Sequence, residues 1–304
     1  MKIGIVGYGV VGKAAGATFS KSFDLIKYDK NLELDEFDLL NTTGMVFIMV
    51  PTPFNYTSNI SDDSSVIECL ERLKSINYDS KKPVVIKSTV VPNSCSSYSS
   101  DFDLEIVFNP EFLRESTSPF EDFANQKTVV LGTKNDLAFE KVKEVYQKVL
   151  PENTDYFQTS YITAEMIKLS QNATLASRVA IANIIYDACK KHGASYDQVK
   201  QIGFDRFEVL GPNMVQVPGP DGKRGFGGTC LPKDINSLNH FMSNKCGIKS
   251  YILDAVCKRN DERDRPDKDL TSKLSPYLHF GEISALEVYD TVNIEKKIDP
   301  ENKK

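Results

Sequence analysis

Several things are scarce in this sequence of 304 residues. The six cysteines (Cys69, Cys95, Cys189, Cys230, Cys246 and Cys257) form no CxxC pair and no close-set framework, and there are only three histidines. That argues against a zinc site and a disulfide scaffold and leaves reduced thiols in a cytoplasmic setting as the expected state. No apolar run approaches the ~20 residues of a membrane-spanning helix. Met1 opens directly into the strand-like KIGIVG, so no leader peptide is expected. Positive charge is in deficit, 37 Lys and Arg against 42 Asp and Glu, with a net charge of −5 and no basic stripe, so nothing invites nucleic acid. No internal repeat shows. With 40% hydrophobic and 26% charged residues, the chain reads as a globular protein long enough for two domains.

Short β-branched runs fill the first half: 2–7, 25–29, 45–50, 83–88, 104–109 and 127–133. Continuous apolar runs alternating with helical stretches predict strands buried on both faces, as in a parallel α/β sheet. From Thr159 to His192 there is neither proline nor glycine. The apolar spacing, the basic end Lys190-Lys191-His192 and the stop at Gly193 predict one long helix. At ~1.5 Å per residue such a helix outreaches a small domain, so it should join two lobes or pack on a partner. A loop rich in proline and glycine, 212–228, interrupts the shorter helical segments that follow, and ENKK at the end reads as a frayed tail. The expected class is α/β: a Rossmann-type parallel sheet over 1–158, a central helix and small all-helical domain over 159–265, and an extension over 266–304.

Gly7, Gly9 and Gly12 form G-x-G-x-x-G between a strand and a probable helix, with Val10 and Val11 inside the motif; the next strand ends in Asp29. Gly7 permits the turn, Gly9 the approach of a pyrophosphate, and Gly12 close helix–strand packing. Asp29 is placed to accept ribose hydroxyls, which favours NAD over NADP, although Lys30 sits beside it. Lys168 and Asn172, four apart, share one helix face and could polarise a substrate oxygen; a solvated lysine and a neutral surface asparagine is the bland alternative. Cys230 follows Gly225, Gly227 and Gly228 and precedes Lys233 and Asp234. It is either a small buried residue or a thiolate nucleophile. In an NAD protein a nucleophilic thiol points to oxidation of an alcohol through the aldehyde to the acid, because addition to the aldehyde creates a second hydride donor.

The stretches GYGVVG (7–12), FIMVPTP (47–53), VIKSTVVP (85–92), FNPEFLRES (108–116), AEMIKLSQNA (164–173) and GFGGTCLPKD (225–234) together resemble the UDP-glucose/GDP-mannose dehydrogenase family over roughly residues 1–265. The resemblance implies NAD as cofactor, a nucleotide sugar as substrate, and a homodimer built on the long helix. It makes Cys230 the nucleophile, Lys168 with Asn172 the oxyanion stabilisers, Asp234 with Thr89 the holders of a proton-relaying water, and Glu111 the base of hydrolysis. The cofactor would meet Pro51, Thr52, Thr89, Asp29, the glycine turn with Val10 and Val11, and Glu115. The sugar would meet Glu111, Phe112, Leu113, Arg114, Glu115, Lys168, Asn172 and Gly227, and Arg206 is the candidate to reach a partner's sugar pocket. No metal is implied. Three features depart from the family: no third domain for the nucleotide half of the substrate, a short segment between Asp29 and Met45, and adjacent Asp205-Arg206 in place of D-x-R. Glu111 and Glu115 could otherwise cap a helix or pair with Arg114. Single-hydride oxidation of a hydroxyacid, or NAD binding by a non-catalytic subunit, are the rival functions.

Overall fold

A computed structural model describes residues 1–261 except Ser116 and Pro212. The expected extension over 266–304 and the frayed tail lie outside the described residues. Residues 1–261 form one compact unit.

The chain begins with β1 (Lys2–Val6), α1 (Val10–Phe19) and β2 (Asp24–Tyr28), followed by a 3-10 turn at Phe37–Thr42 and β3 (Met45–Ile48). A small hairpin, β4 (Phe54–Asn55) and β5 (Ile60–Ser61), precedes α2 (Ser64–Ser75) and β6 (Pro83–Ile86). Then come α3 (Ser94–Phe102), β7 (Glu105–Phe108), α4 (Pro119–Ala124), β8 (Thr128–Gly132), α5 (Asp136–Gln147) and β9 (Asp155–Thr159). Seven strands make one sheet in the order β2-β1-β3-β6-β7-β8-β9. All six predicted runs are strands in it. Their pairing is parallel (Ile3 opposite Leu25 and Met45, Ile86 opposite Phe108) except at β7–β8, where Phe108 meets Gly132 antiparallel. The expected parallel sheet is present, with one antiparallel junction. The periodicity of an apolar run reports burial on both faces and carries no direction.

Both faces are covered, which is why these strands are apolar throughout. Val6, Leu40, Ile48, Leu70, Leu73 and Ile106 pack on one side. On the other, Ile5, Phe47 and Val107 meet Phe19 of α1, Phe123 of α4 and Tyr146 of α5, the Phe19–Phe123 rings edge to face at 5.6 Å. The chain turns from β1 to β2 on one side and to β3 on the other, so the sheet order reverses between β1 and β3. In an open α/β sheet a crevice forms beyond the strand ends at that point.

The long helix is α6 (Tyr161–His192), with the Ser160 side chain accepting from the Thr163 N–H at its start and Gly193 left-handed at its end. The short α7 (Tyr196–Lys200) follows, then α8 (Cys230–Lys245) and α9 (Tyr251–Asn260). Ala173, Ala176 and Ala180 let α6 come close to α8 and α9, whose Ile235, Leu238 and Val256 fill the contact around Leu169. Leu169 and Ile235 are fully buried, and truncating either would cost about 2–5 kcal/mol. The hairpin adds a tie between sheet and α8: the Ser61 and Ser237 hydroxyls lie 2.5 Å apart. These contacts fix the first residue of α8, Cys230, against the strand ends.

Candidate active site

The turn between β1 and α1 divides its glycines by task. Gly7 has φ of +89°, and a Cβ there would lie 2.5 Å from the Met49 carbonyl oxygen. A Cβ on Gly12 would lie 2.1 Å from the Gly7 oxygen, so helix and strand could not pack as they do. Gly9, by contrast, has nothing within 4 Å of that position. Its freedom is unused by the fold and leaves backbone accessible at a helix N-terminus, where phosphate binds well. Asp29 sits just past β2 and is pinned from both sides. Its Oδ2 accepts from the Tyr8 N–H at 2.8 Å and its Oδ1 from the Asn31 N–H at 2.9 Å. Gly7, Gly9, Asp29, Lys30 and Arg72 share a cleft of about 190 Å³. Lys30 pairs with Glu68, on the wall of the same cleft, at 3.7 Å. An open glycine beside a fixed acid fits the phosphates and ribose of a dinucleotide.

A larger cavity of about 490 Å³ continues from Gly9, Val10 and Val11 past Pro51, Thr52 and Thr89 to Glu111, Leu113, Glu115, Lys168, Cys230 and Lys233. Cys230 is exposed to it and opens a helix of 16 residues, the end of a helix that favours negative charge. Its Sγ stands 3.8 Å from Glu115 Oε2, and the Thr229 hydroxyl donates to the same carboxylate at 2.7 Å. Thr52 donates its hydroxyl to the Thr89 carbonyl at 2.6 Å, fixing the loop after β3 to the loop after β6.

Lys168 and Asn172 are both buried, so the solvated alternative for this pair does not hold. The Lys168 ammonium lies 5.6 Å from the Phe112 ring centre. Asn172 donates to Asp234 Oδ2 at 2.5 Å, and Lys233 Nζ reaches Asp234 Oδ1 at 2.8 Å and the Thr52 hydroxyl at 3.4 Å. Asp234 is fully buried, with Oδ1 in ion-pair range of Lys233 but lacking a hydrogen bond among the described residues. Asn172 and Asp234 therefore form a layer beside the cavity, reached through Lys233.

Arg114 pairs with neither glutamate of its loop. It forms a two-pronged pair with Asp122, Nε to Oδ2 at 2.9 Å and an NH2 nitrogen to Oδ1 at 2.7 Å, which holds the Asp122 carboxyl down at about 2. Glu111 Oε1 accepts from the Phe112 and Leu113 N–H groups, while its Oε2 faces the buried ammonium of Lys87 at 2.9 Å. Arg114 and Phe112 line a second cavity on the other side of that loop, which Glu111 and Leu113 also border. Gly227 is half-buried just before Cys230, and Arg206 is exposed after a π turn at Gln201–Asp205, outside both cavities.

Two side chains here, Lys87 and Glu165, were not singled out from sequence, and Lys233 was named only as a neighbour of Cys230. Lys87 and Lys233 sit within quoted motifs, but a lysine in a string gives no sign of its burial. Glu165, fully buried on α6, accepts from the Asn93 and Cys95 N–H groups at 2.7 and 2.9 Å and docks the start of α3 on the long helix. Burial pushes its carboxyl up, against those two hydrogen bonds.

Residues 29–150 match the UDP-glucose/GDP-mannose dehydrogenase family NAD binding domain, and residues 162–262 match that family's central domain. The chain is 36% identical over 230 residues to a UDP-glucose 6-dehydrogenase of Rickettsia bellii, covering 74% of this chain and 50% of that protein. It is 29% identical over 301 residues to a UDP-glucose 6-dehydrogenase of Campylobacter jejuni, covering 87% of this chain and 73% of that one. Its fold matches a UDP-glucose dehydrogenase from Pyrobaculum islandicum with a TM-score of 0.75 and 22% identity, over 86% of this chain and 68% of the other. A UDP-D-ManNAc dehydrogenase from Pyrococcus horikoshii gives a TM-score of 0.73 at 19% identity, over the same shares. The chain spans about half the length of the rickettsial relatives.

Proposed function

Because this chain belongs to the UDP-glucose/GDP-mannose dehydrogenase family and carries its NAD-binding domain, we propose that it oxidises the C6 alcohol of a nucleotide sugar, UDP-glucose by its relatives' names, to the acid in two hydride transfers. The observation that carries this reading is the cavity that joins Gly9–Val11 to Cys230, Lys168 and Glu111. A single-hydride dehydrogenase has no use for a thiol there. In this division residues 1–158 hold the cofactor and 159–265 carry the nucleophile.

Bound NAD would accept a hydride at each oxidation and, with its ribose at Asp29 and phosphates at Gly9, would enter the cavity from the sheet side. The protein's own groups do the rest. In the first oxidation the C6 hydroxyl loses its proton toward a water in the cavity beside Thr89, with Asp234, buried behind Lys233, acting on it through that lysine. The Cys230 thiol passes its proton to Glu115, 3.8 Å away, and the thiolate adds to the aldehyde carbon. The oxygen then carries a negative charge, for which the Lys168 ammonium on the cavity wall is the stabilising partner, with Asn172 in the layer behind it. Departure of the second hydride leaves a thioester on Cys230. Water adds to it with Glu111 as base, the C–S bond breaks, the acid leaves, and the Cys230 thiolate takes its proton back from Glu115.

The exposed Ile162, Ile181 and Ile184 on α6 support a homodimer through that helix, with Arg206 as the residue offered to a partner's pocket. Cytoplasmic location is part of the same reading; no helix among the described residues is long and apolar enough to cross a membrane. The test is NADH release with UDP-glucose, UDP-N-acetyl sugars and GDP-mannose. UDP-glucose should give turnover, and silence with all of them would overturn the reading.

A further inference from the structure

Lys87 is a fully buried charge on the wall of the cavity. It directly follows β6, and its side chain is 0% exposed. Burying an ammonium without a partner is costly, and a hydrophobic residue of that length would fill the same space, so its charge calls for an explanation. Its partners are all on one short stretch and its support. Nζ donates to Asn109 Oδ1 at 2.9 Å and faces Glu111 Oε2 at 2.9 Å, thereby gripping both ends of Asn109-Pro110-Glu111. Asn109 is itself locked. The Tyr146 hydroxyl donates to its Oδ1 at 2.5 Å, and its amide donates to the Val130 carbonyl at 2.9 Å. The rings of Phe123 and Tyr146 flank the ammonium at 5.3 and 5.9 Å. Burial lowers the pKa of Lys87, Glu111 pulls it back up, and nearby Lys168 works with burial.

Glu111 is held by two different means. Its Oε1 is occupied by the backbone of its own loop, and its Oε2 is directed by Lys87. We propose that Lys87 is a positioning residue that acts through Glu111: by holding the buried Oε2 it sets the orientation of the carboxylate that receives a proton from water during cleavage of the Cys230 thioester. This rests on the proposed function. The step balances without further reagents: water adds to the acyl carbon, its proton goes to Glu111, the carbon–sulfur bond breaks, and the sulfur leaves as thiolate. Lys87 itself neither gains nor loses a proton. Misplacement of a reacting group by about 1 Å costs on the order of 100-fold.

The experiment uses the full chain with NAD and UDP-glucose, comparing wild type, K87M, K87R, E111Q and the K87M/E111Q double variant. NADH formation is followed through the first turnover and the steady state, and intact-protein mass reports acyl adduct on Cys230. The proposal expects K87M to keep NAD affinity within about twofold and the full first-turnover NADH. Its steady-state rate should fall by roughly 10–100-fold as adduct accumulates. K87R should restore much of the rate. In the E111Q background K87M should cost less than about twofold more, since the route through Glu111 is already lost. Wild-type hydrolysis by K87M, or an undiminished loss in the E111Q background, would overturn it. So would failure of both K87M and K87R to fold while E111Q folds, since that assigns Lys87 to the scaffold. One NADH per sugar with no adduct in any protein would refute the proposed function itself, and the role of Lys87 with it.

Discussion

Gly9 and Gly12 give the sharpest contrast between a residue required by the fold and one left free for a ligand. The Cβ of Gly12→Ala would meet a backbone oxygen at 2.1 Å, and that oxygen belongs to Gly7, itself trapped against Met49. Neither neighbour is the end of a flexible side chain, so α1 must shift off β1. Overpacking of this kind costs about 1–3 kcal/mol, and for a chain of this size each kcal/mol moves the melting point by about 2–4 °C. The upper end applies, giving a drop of about 6–12 °C. Gly9 has φ of −74° and open space around its Cβ position, so Gly9→Ala should melt within about 2 °C of wild type, and loss of backbone freedom in the unfolded chain slightly favours the variant. That methyl would stand where a phosphate must approach, a clash again of about 1–3 kcal/mol, or roughly 5–150-fold in the Kd for NAD. Thermal unfolding by circular dichroism and NAD titration by calorimetry read the two effects separately. If Gly9→Ala unfolds early, or Gly12→Ala melts like wild type, the division of labour within the turn is wrong.

Thiol reactivity should follow burial. With iodoacetamide, exposed Cys230 and Cys246 should label first, Cys257 more slowly because burial holds its thiol up at about 11, and Cys69, Cys95 and Cys189 only on unfolding; tryptic mass mapping reads the order, and early labelling of Cys69, held at about 12, would contradict it. The Arg114–Asp122 pair predicts a small pH-dependent stability. Asp122 is depressed to about 2 by Arg114, so its contribution is complete above the unfolded aspartate value near 4 and fades as pH falls from about 4 to 2. Because Arg114 is largely exposed, Asp122→Asn should cost less than about 1 kcal/mol at pH 7 and clearly less at pH 2; denaturant titration at both values checks the sign.

The sheet was legible where burial on both faces forced unbroken apolar runs, and the long helix where caps and spacing agreed. β9 escaped because DYFQT lies at the sheet edge and mixes polar with aromatic residues. The β4–β5 hairpin escaped because strands of two residues leave no period to read. At the site, residue identities were visible as motifs, but their environment was not. Nothing in the spacing showed that Lys168 is buried, that Glu111 turns to Lys87 and away from Arg114, or that Glu115 stands beside the Cys230 thiol. Such pairings join positions up to 115 residues apart, and only the fold brings them together.

The central claim is that the Cys230 thiol carries the substrate between two oxidations. Counting NADH formed per UDP-glucose consumed, for wild type beside Cys230→Ser, tests it most directly. The account predicts two equivalents for the wild type and no net acid from the variant, with NAD binding retained. One equivalent from the wild type, or undiminished turnover by Cys230→Ser, would contradict it.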